Sequence, residues 1–227
     1  MIYAVIAAGG IGSRMGADKP KQYIKIGGKA IILHTAEKFI NNSRTDKVIV
    51  LVPEDWVDYT KEIFKQTDVI VIPGGDTRNE TLMKAIDYIE DTDGLSENTY
   101  LLTHDAVRPF VSDDIINANI DAMLTYGATG TVIAATDTVF YSDNGKVINS
   151  IPDRSKLYQA QTPQCFEAIK LRELYNGLSD DEKEILTDGC KIYLLKGQDV
   201  YLVKGHVSNI KITYPHDLIV AEAILNK

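Results

Sequence analysis

The densest group of residues able to do chemistry follows directly on the first apolar run: Ala7-Ala8-Gly9-Gly10-Ile11-Gly12-Ser13-Arg14-Met15-Gly16, then Lys19-Pro20-Lys21-Gln22. Small residues let backbone N–H groups approach a phosphate closely, and their aligned dipoles favour negative charge. A P-loop would need GxxxxGK[ST], which is absent, and Met15 stands where the dinucleotide fingerprint GxGxxG carries its last glycine. Arg14 and Lys21 instead suit a long polyanion such as a triphosphate. The competing reading is a Gly-rich turn whose basic residues are merely solvated.

Such a loop needs a scaffold, and the rest of the chain supplies one. Short β-branched runs alternate with amphipathic stretches at 2–7, 31–40, 48–52, 56–64, 69–72, 82–89 and 100–103. Strands apolar on consecutive positions read as a parallel sheet covered by helices on both faces, with the ligand crevice at the strands' carboxyl ends. A helix over 113–124 and a strand over 130–135 continue the pattern. Residues 137–153 then alternate around Asp143-Asn144-Gly145, a composition suited to a hairpin turn. An arm of this size holds no core of its own, so it is expected to pack on a partner subunit; the alternative is a hairpin lying flat on its own domain. Helices over 166–175, 181–186 and 216–225 and strands over 200–203 and 210–213 complete the expectation, a single domain over 1–227 with an arm at 137–158. Asp91-Thr92-Asp93 imitates a metal-binding acidic motif but reads as a solvated loop between a helix and a turn.

Composition limits the partners. The chain has 227 residues, 44% hydrophobic and 25% charged, which suits a folded globular protein. Lys and Arg number 24 against 32 Asp and Glu, a formal charge of -8 that argues against nucleic acid or an anionic membrane as partner. Any anion site must therefore be a local basic pocket. The first apolar run is shorter than a signal-peptide core, and none approaches the roughly 20 residues of a membrane span, so a cytoplasmic location is expected. Cys165 and Cys190 lack metal-site spacing and read as reduced thiols.

The loop AAGGIGSRMG with KPKQ resembles the signature of nucleotidyltransferases that join a nucleoside triphosphate to a sugar or alditol phosphate. Five later segments narrow the likeness: Gly74-Gly75-Asp76-Thr77-Arg78-Asn79-Glu80-Thr81, His104-Asp105-Ala106-Val107-Arg108-Pro109, Gln161-Thr162-Pro163-Gln164, Leu186-Thr187-Asp188 and Asn209-Ile210-Lys211-Ile212-Thr213. In this order they resemble the cytidylyltransferases acting on methylerythritol phosphate or ribitol 5-phosphate, over essentially the entire chain. The resemblance implies an α/β, Rossmann-like, mostly parallel sheet of the nucleotide-diphospho-sugar transferase type, with a projecting β-arm that makes a homodimer.

It also implies roles. Ala7, Ala8, Gly9, Gly10, Gly75, Asp76, Thr77, Arg78, Asn79, Glu80, Thr81 and Ala106 would bind CTP. Cytosine must meet an acceptor at its N4 amine, which backbone carbonyls near Ala7 or Gly75, or the Asp76 carboxylate, could offer, while Thr81 could donate to O2. Alternatively Asp76 and Thr77 cap the following helix. Asp105 would hold Mg²⁺ against the triphosphate, with His104 a packed neighbour. Arg14, Lys21, Arg154 and Lys211 would be catalytic, and Arg108, Arg154, Thr187 and Lys211 would surround the alditol phosphate, Arg154 arriving on the arm, in cis or from the other subunit.

Two acceptors compete. The methylerythritol enzymes typically read HDAARP, TDEA and DNIKVT where this chain has HDAVRP, TDGCKI and SNIKIT. Those departures, with LYQAQTPQ, look more like the ribitol phosphate enzymes of teichoic acid and capsule synthesis, which implies a functional link to a ribulose-5-phosphate reductase. Ser208, in place of Asp, removes a carboxylate from the metal's expected surroundings. More distant readings are a nicotinamide-dependent reductase with Glu54 on a ribose, and a non-catalytic nucleotide-binding regulator.

Overall fold

The apolar residues of the first strand point alternately to opposite faces, as a strand's period of two requires, and both faces are covered. In the computed structural model, which describes residues 1–10 and 19–226, β1 (Ile2–Ala7) pairs in parallel with β4 (Lys47–Val52) and β6 (Tyr100–Asp105). The remaining strands of this sheet are β5 (Ile70–Pro73), β7 (Ala128–Ala134), β8 (Tyr158–Glu167) and β9 (Tyr201–Lys204), and the order is β5-β4-β1-β6-β8-β7-β9. Only β8 runs antiparallel to its neighbours. The mostly parallel α/β sheet expected from the sequence is thus the observed architecture.

Ala4 and Ile6 of β1 face α1 (Ile31–Ile40), α2 (Val57–Phe64) and α4 (Asp113–Tyr126), whose Ala36, Phe39, Phe64, Ile116 and Ile120 share one core cluster with them. Tyr3 and Val5 face α3 (Arg78–Asp93), α5 (Ala168–Asn176) and α7 (Gly189–Leu195) through Leu82, Ile86, Leu171 and Ile192. A third cluster sits at the strands' carboxyl ends. There the small hairpin β2 (Lys25–Ile26) and β3 (Lys29–Ala30) and the last helix α8 (Pro215–Leu225) bring Ile26, Ile31, Val107, Ile212 and Ala221 together. A short helix α6 (Asp180–Glu184) precedes α7. No helix among the described residues is long and apolar enough to cross a membrane.

Four expectations need correction. Residues 210–213 form no strand; the segment crosses the strand ends, tied by Ile212 N–H donating to Val107 O at 2.9 Å. Residue 166 lies in β8 rather than in a helix, and this strand was hidden because Gln159, Gln161, Thr162 and Gln164 break the apolar pattern. Asp91-Thr92-Asp93 is the last turn of α3, and Asp93 is tied down: it accepts from Lys47 Nζ at 2.6 Å and from the Tyr3 hydroxyl at 2.8 Å. The arm has the expected turn, with Gly145 at φ 67° and Asn144 Oδ1 accepting from the Lys146 and Val147 N–H groups, yet its two sides share a single bridge, Tyr141 to Ser150. A two-stranded ribbon without a third partner has little to hold it.

Candidate active site

The loops that leave β1, β5 and β6 open at the same end of the sheet, as the crevice rule for open α/β sheets demands. They line a cavity of about 340 Å³ with Ala7, Ala8, Gly9, Gly10, Gly75, Asp76, Thr77, Arg78, Thr81, Ala106, Lys21, Gln22, Val107, Asp105 and Lys211. A second cavity, about 170 Å³, is lined by Arg108, Thr187, Asp188, Gln161, Thr162, Gln164 and Ala160. Arg78, Asp105 and Lys211 line both.

The loop after β5 is built for close approach. A Cβ on Gly75 would meet Glu80 Cβ at 2.5 Å, so only glycine fits there. Thr77 caps α3 in a capping box: Glu80 N–H donates to Thr77 Oγ1 at 3.1 Å, while Glu80 Oε2 accepts from the Asp76 and Thr77 N–H groups. Capping therefore takes the backbone N–H of Asp76 but not its carboxylate, and Asp76 is among the residues that line the first cavity. The Thr81 hydroxyl donates to Thr77 O at 2.9 Å and accepts from Gly75 N–H at 3.1 Å, which ties the loop to the first turn of α3, and Thr81 lines the first cavity. Asn79 and Glu80, also expected at CTP, line neither cavity.

Charge is concentrated at the junction. Asp105, at the end of β6, is buried, and Lys211 Nζ lies 3.0 Å from it, Arg108 Nε 3.4 Å and Arg78 Nη2 3.6 Å. Burial pushes the Asp105 carboxyl up, but Arg78, Lys211 and Arg108 outweigh it and hold the group well below the usual carboxylate range. Three cations around one carboxylate leave the junction positive despite the acidic chain. Lys21, in the tight turn Lys21–Tyr23, is buried beside them and donates from Nζ to Ile212 O at 3.0 Å. Arg108 is braced by Nη1 donating to Asn209 O at 2.7 Å.

His104 is buried, and burial pulls it down to about 4. Its Nε2 faces the Arg108 carbonyl at 3.1 Å and must be the donor, so Nδ1 accepts from the Thr162 hydroxyl at 2.9 Å, and Thr162 Oγ1 in turn accepts from Asp105 N–H at 3.2 Å. Both ring nitrogens are engaged, and the neutral imidazole supports Asp105 from behind.

Among the described residues no three His, Cys, Asp or Glu side chains gather as a metal cage. Mg²⁺ commonly takes one or two carboxylates and completes its shell with substrate phosphates and water. The lone Asp105 fits an ion carried in on a triphosphate.

Arg14 lies outside the described residues. Arg154 is not brought to the site: it is exposed on the arm, donates to Thr136 O at 2.6 Å and lines neither cavity. Ser208 also lies outside both cavities and hydrogen-bonds His206 Nδ1 at 2.6 Å. Sequence reasoning passed over Gln164 and Asp188, which line the second cavity; their segments stood out as motifs, but nothing local tells that residues 24 positions apart meet at 2.7 Å.

Comparison with known proteins fits this geometry. The model of the family described as 2-C-methyl-D-erythritol 4-phosphate cytidylyltransferase (IspD) matches residues 2–227. A structure described as that enzyme from Francisella tularensis shares 29% identity with a TM-score of 0.82, covering 98% of each chain. A 4-diphosphocytidyl-2C-methyl-D-erythritol synthase from Anaerococcus prevotii shares 28% identity at a TM-score of 0.81, covering 100% of this chain and 96% of that one. The Thermus thermophilus cytidylyltransferase shares 26% at 0.78, each chain covered in full. With a positive junction between two cavities at the carboxyl ends of such a sheet, and a family match along nearly its whole length, the chain belongs to the IspD family of CTP-using cytidylyltransferases.

Proposed function

We propose that the chain transfers a cytidylyl group from CTP to an acyclic alditol phosphate, with ribitol 5-phosphate as acceptor and CDP-ribitol and pyrophosphate as products. The observation that carries the reaction class is the junction itself: Arg78, Asp105 and Lys211 line both cavities, so two anionic substrates occupying them would meet among three cations.

An acceptor phosphate oxygen attacks the α-phosphorus of CTP, the bond to the β-phosphate oxygen breaks, and pyrophosphate leaves. A phosphate monoester loses its second proton near pH ~6, so the nucleophile arrives ionised and no general base is required. His104, buried, neutral and bonded through both nitrogens, is not available for that task. What remains is to overcome repulsion between anions and to align them in line, which fixed cations do. Lys21 and Arg14 serve the triphosphate; Lys211, Arg108 and Thr187 orient the acceptor. Asp105 would hold Mg²⁺, which neutralises phosphate charge when bound. The arm, with Val139, Phe140, Tyr141, Val147, Ile148 and Ile151 exposed, would join two copies and bring Arg154 to the partner's acceptor cavity.

The names of the structural relatives support a second acceptor, 2-C-methyl-D-erythritol 4-phosphate, and the family description does the same. Ribitol 5-phosphate is favoured by local residues: Val107, Gly189-Cys190 and Ser208 depart from the methylerythritol pattern. Gly189 follows the cavity residue Asp188, and a Cβ there would meet the Phe166 ring at 2.7 Å. The deciding experiment measures pyrophosphate release from CTP and Mg²⁺ with each acceptor in parallel, with UTP as the base control. Faster turnover of methylerythritol phosphate would replace the first acceptor by the second, and release with neither would remove the whole reading.

A further inference from the structure

We propose that Gln164 and Asp188 are positioning residues for Arg78, fixing its guanidinium across the junction of the two cavities while leaving its charge for phosphate. Gln164 is buried, with its amide oxygen accepting from Arg78 Nη1 at 3.1 Å and its amide nitrogen donating to Asp188 Oδ2 at 2.7 Å. The amide cannot turn over: reversed, it would set N–H groups against the guanidinium and an oxygen against a carboxylate. Its strand is equally fixed, paired to Thr103 on one side and Gly130 on the other, with Gln164 O accepting from Thr103 Oγ1 at 2.9 Å. Asp188 is anchored as the N-cap of α7, where Oδ1 accepts from Lys191 N–H at 3.1 Å.

The interposed amide has an electrostatic purpose. A carboxylate bonded directly to Arg78 would orient it and cancel it together. Gln164 transmits the orientation and sets the Asp188 charge back by one side chain. The only carboxylate close to Arg78 among the described residues is Asp105 at 3.6 Å, already shared with Arg108 and Lys211.

This inference rests on the reading that Arg78 meets CTP phosphate at the junction, and the test separates the two. Steady-state kinetics with CTP, Mg²⁺ and the better acceptor are compared for Arg78→Ala, Gln164→Leu, their double variant, and the near-isosteric exchange Gln164→Glu with Asp188→Asn. Gln164→Leu is expected to lower kcat about tenfold with KM for CTP changed by less than about threefold, and to cost nothing further when Arg78 is already alanine. The exchange keeps every hydrogen bond but places a carboxylate on Arg78, so it should fold with an unchanged melting temperature and still lose about tenfold in kcat. An equal loss from Gln164→Leu with and without Arg78, or full activity in the exchange variant, would overturn the proposal. If Arg78→Ala alone leaves kcat and KM untouched, the assignment of Arg78 to the phosphates is what fails.

Discussion

At the scale of single residues, the two buried or half-buried lysines at the cleft have different expected duties. Lys21 is 8% exposed and sits with the glycines of the first loop, whereas the Lys211 side chain is 44% exposed and touches Asp105 between the cavities. Lys21→Ala should mainly lower kcat, by about a hundredfold for a lost fixed charge on the triphosphate. Lys211→Ala should mainly raise the alditol phosphate KM, or lower kcat where alignment is limiting. Initial-rate kinetics of both variants check this, and unchanged constants would remove both from the site. Lys21, near the first glycine-rich loop, and Asp105, at a strand's carboxyl end, were legible from residue type and position, whereas Lys211 and Arg108 were placed only by the family resemblance. The backbone partners of the Thr81 hydroxyl, Thr77 O and Gly75 N–H, were not legible, because they come into reach only once the turn has closed.

At the scale of elements, parallel strands announced themselves because both faces are buried and their residues are continuously apolar, as in Val48–Val52. β8 did not, since its polar side chains are satisfied by distant partners: Thr162 by His104, Gln161 by His206 O at 2.9 Å. Ile210–Thr213 has strand-like alternation, but both isoleucines of that alternation serve a crossing segment, Ile212 in the cluster under α8. The arm is the element whose composition exceeds what one copy uses, with Phe140 56% and Ile148 53% exposed. If the arm joins two copies as proposed, replacing Phe140 and Ile148 by Ser should shift sedimentation from dimer to monomer and lower activity, and a wild-type protein that sediments as a monomer would remove the arm's proposed role. Should Arg154 act across the dimer, mixing inactive Arg154→Ala and Lys21→Ala variants should recover a fraction of wild-type rate through hybrid dimers; no recovery would assign it to its own subunit.

At the scale of the molecule, the sheet carries two cores, and the thiols report on their integrity. Burial pushes Cys165 up to about 12 and raises Cys190 as well. Since the thiolate is the reactive form, both should resist iodoacetamide from pH 7 to 9 in the folded protein and react on unfolding in urea. Labelling of the native protein at the rate of a free thiol would contradict this packing. No disulfide or metal staple is needed for a chain of this size to stay folded.

The direction of one strand has a further consequence for where things emerge. Because β8 runs against its neighbours, the chain leaves β7 and re-enters β8 at the same rim, so the whole excursion between residues 134 and 158 springs from the edge where the crevice opens. Had the ten-residue run of β8 pointed the other way, the return path would end roughly 30 Å off, on the far rim, given about 3.3 Å of rise per residue. Strand polarity, and no feature of the excursion's own sequence, thus sets the rim from which the arm and its Arg154 emerge.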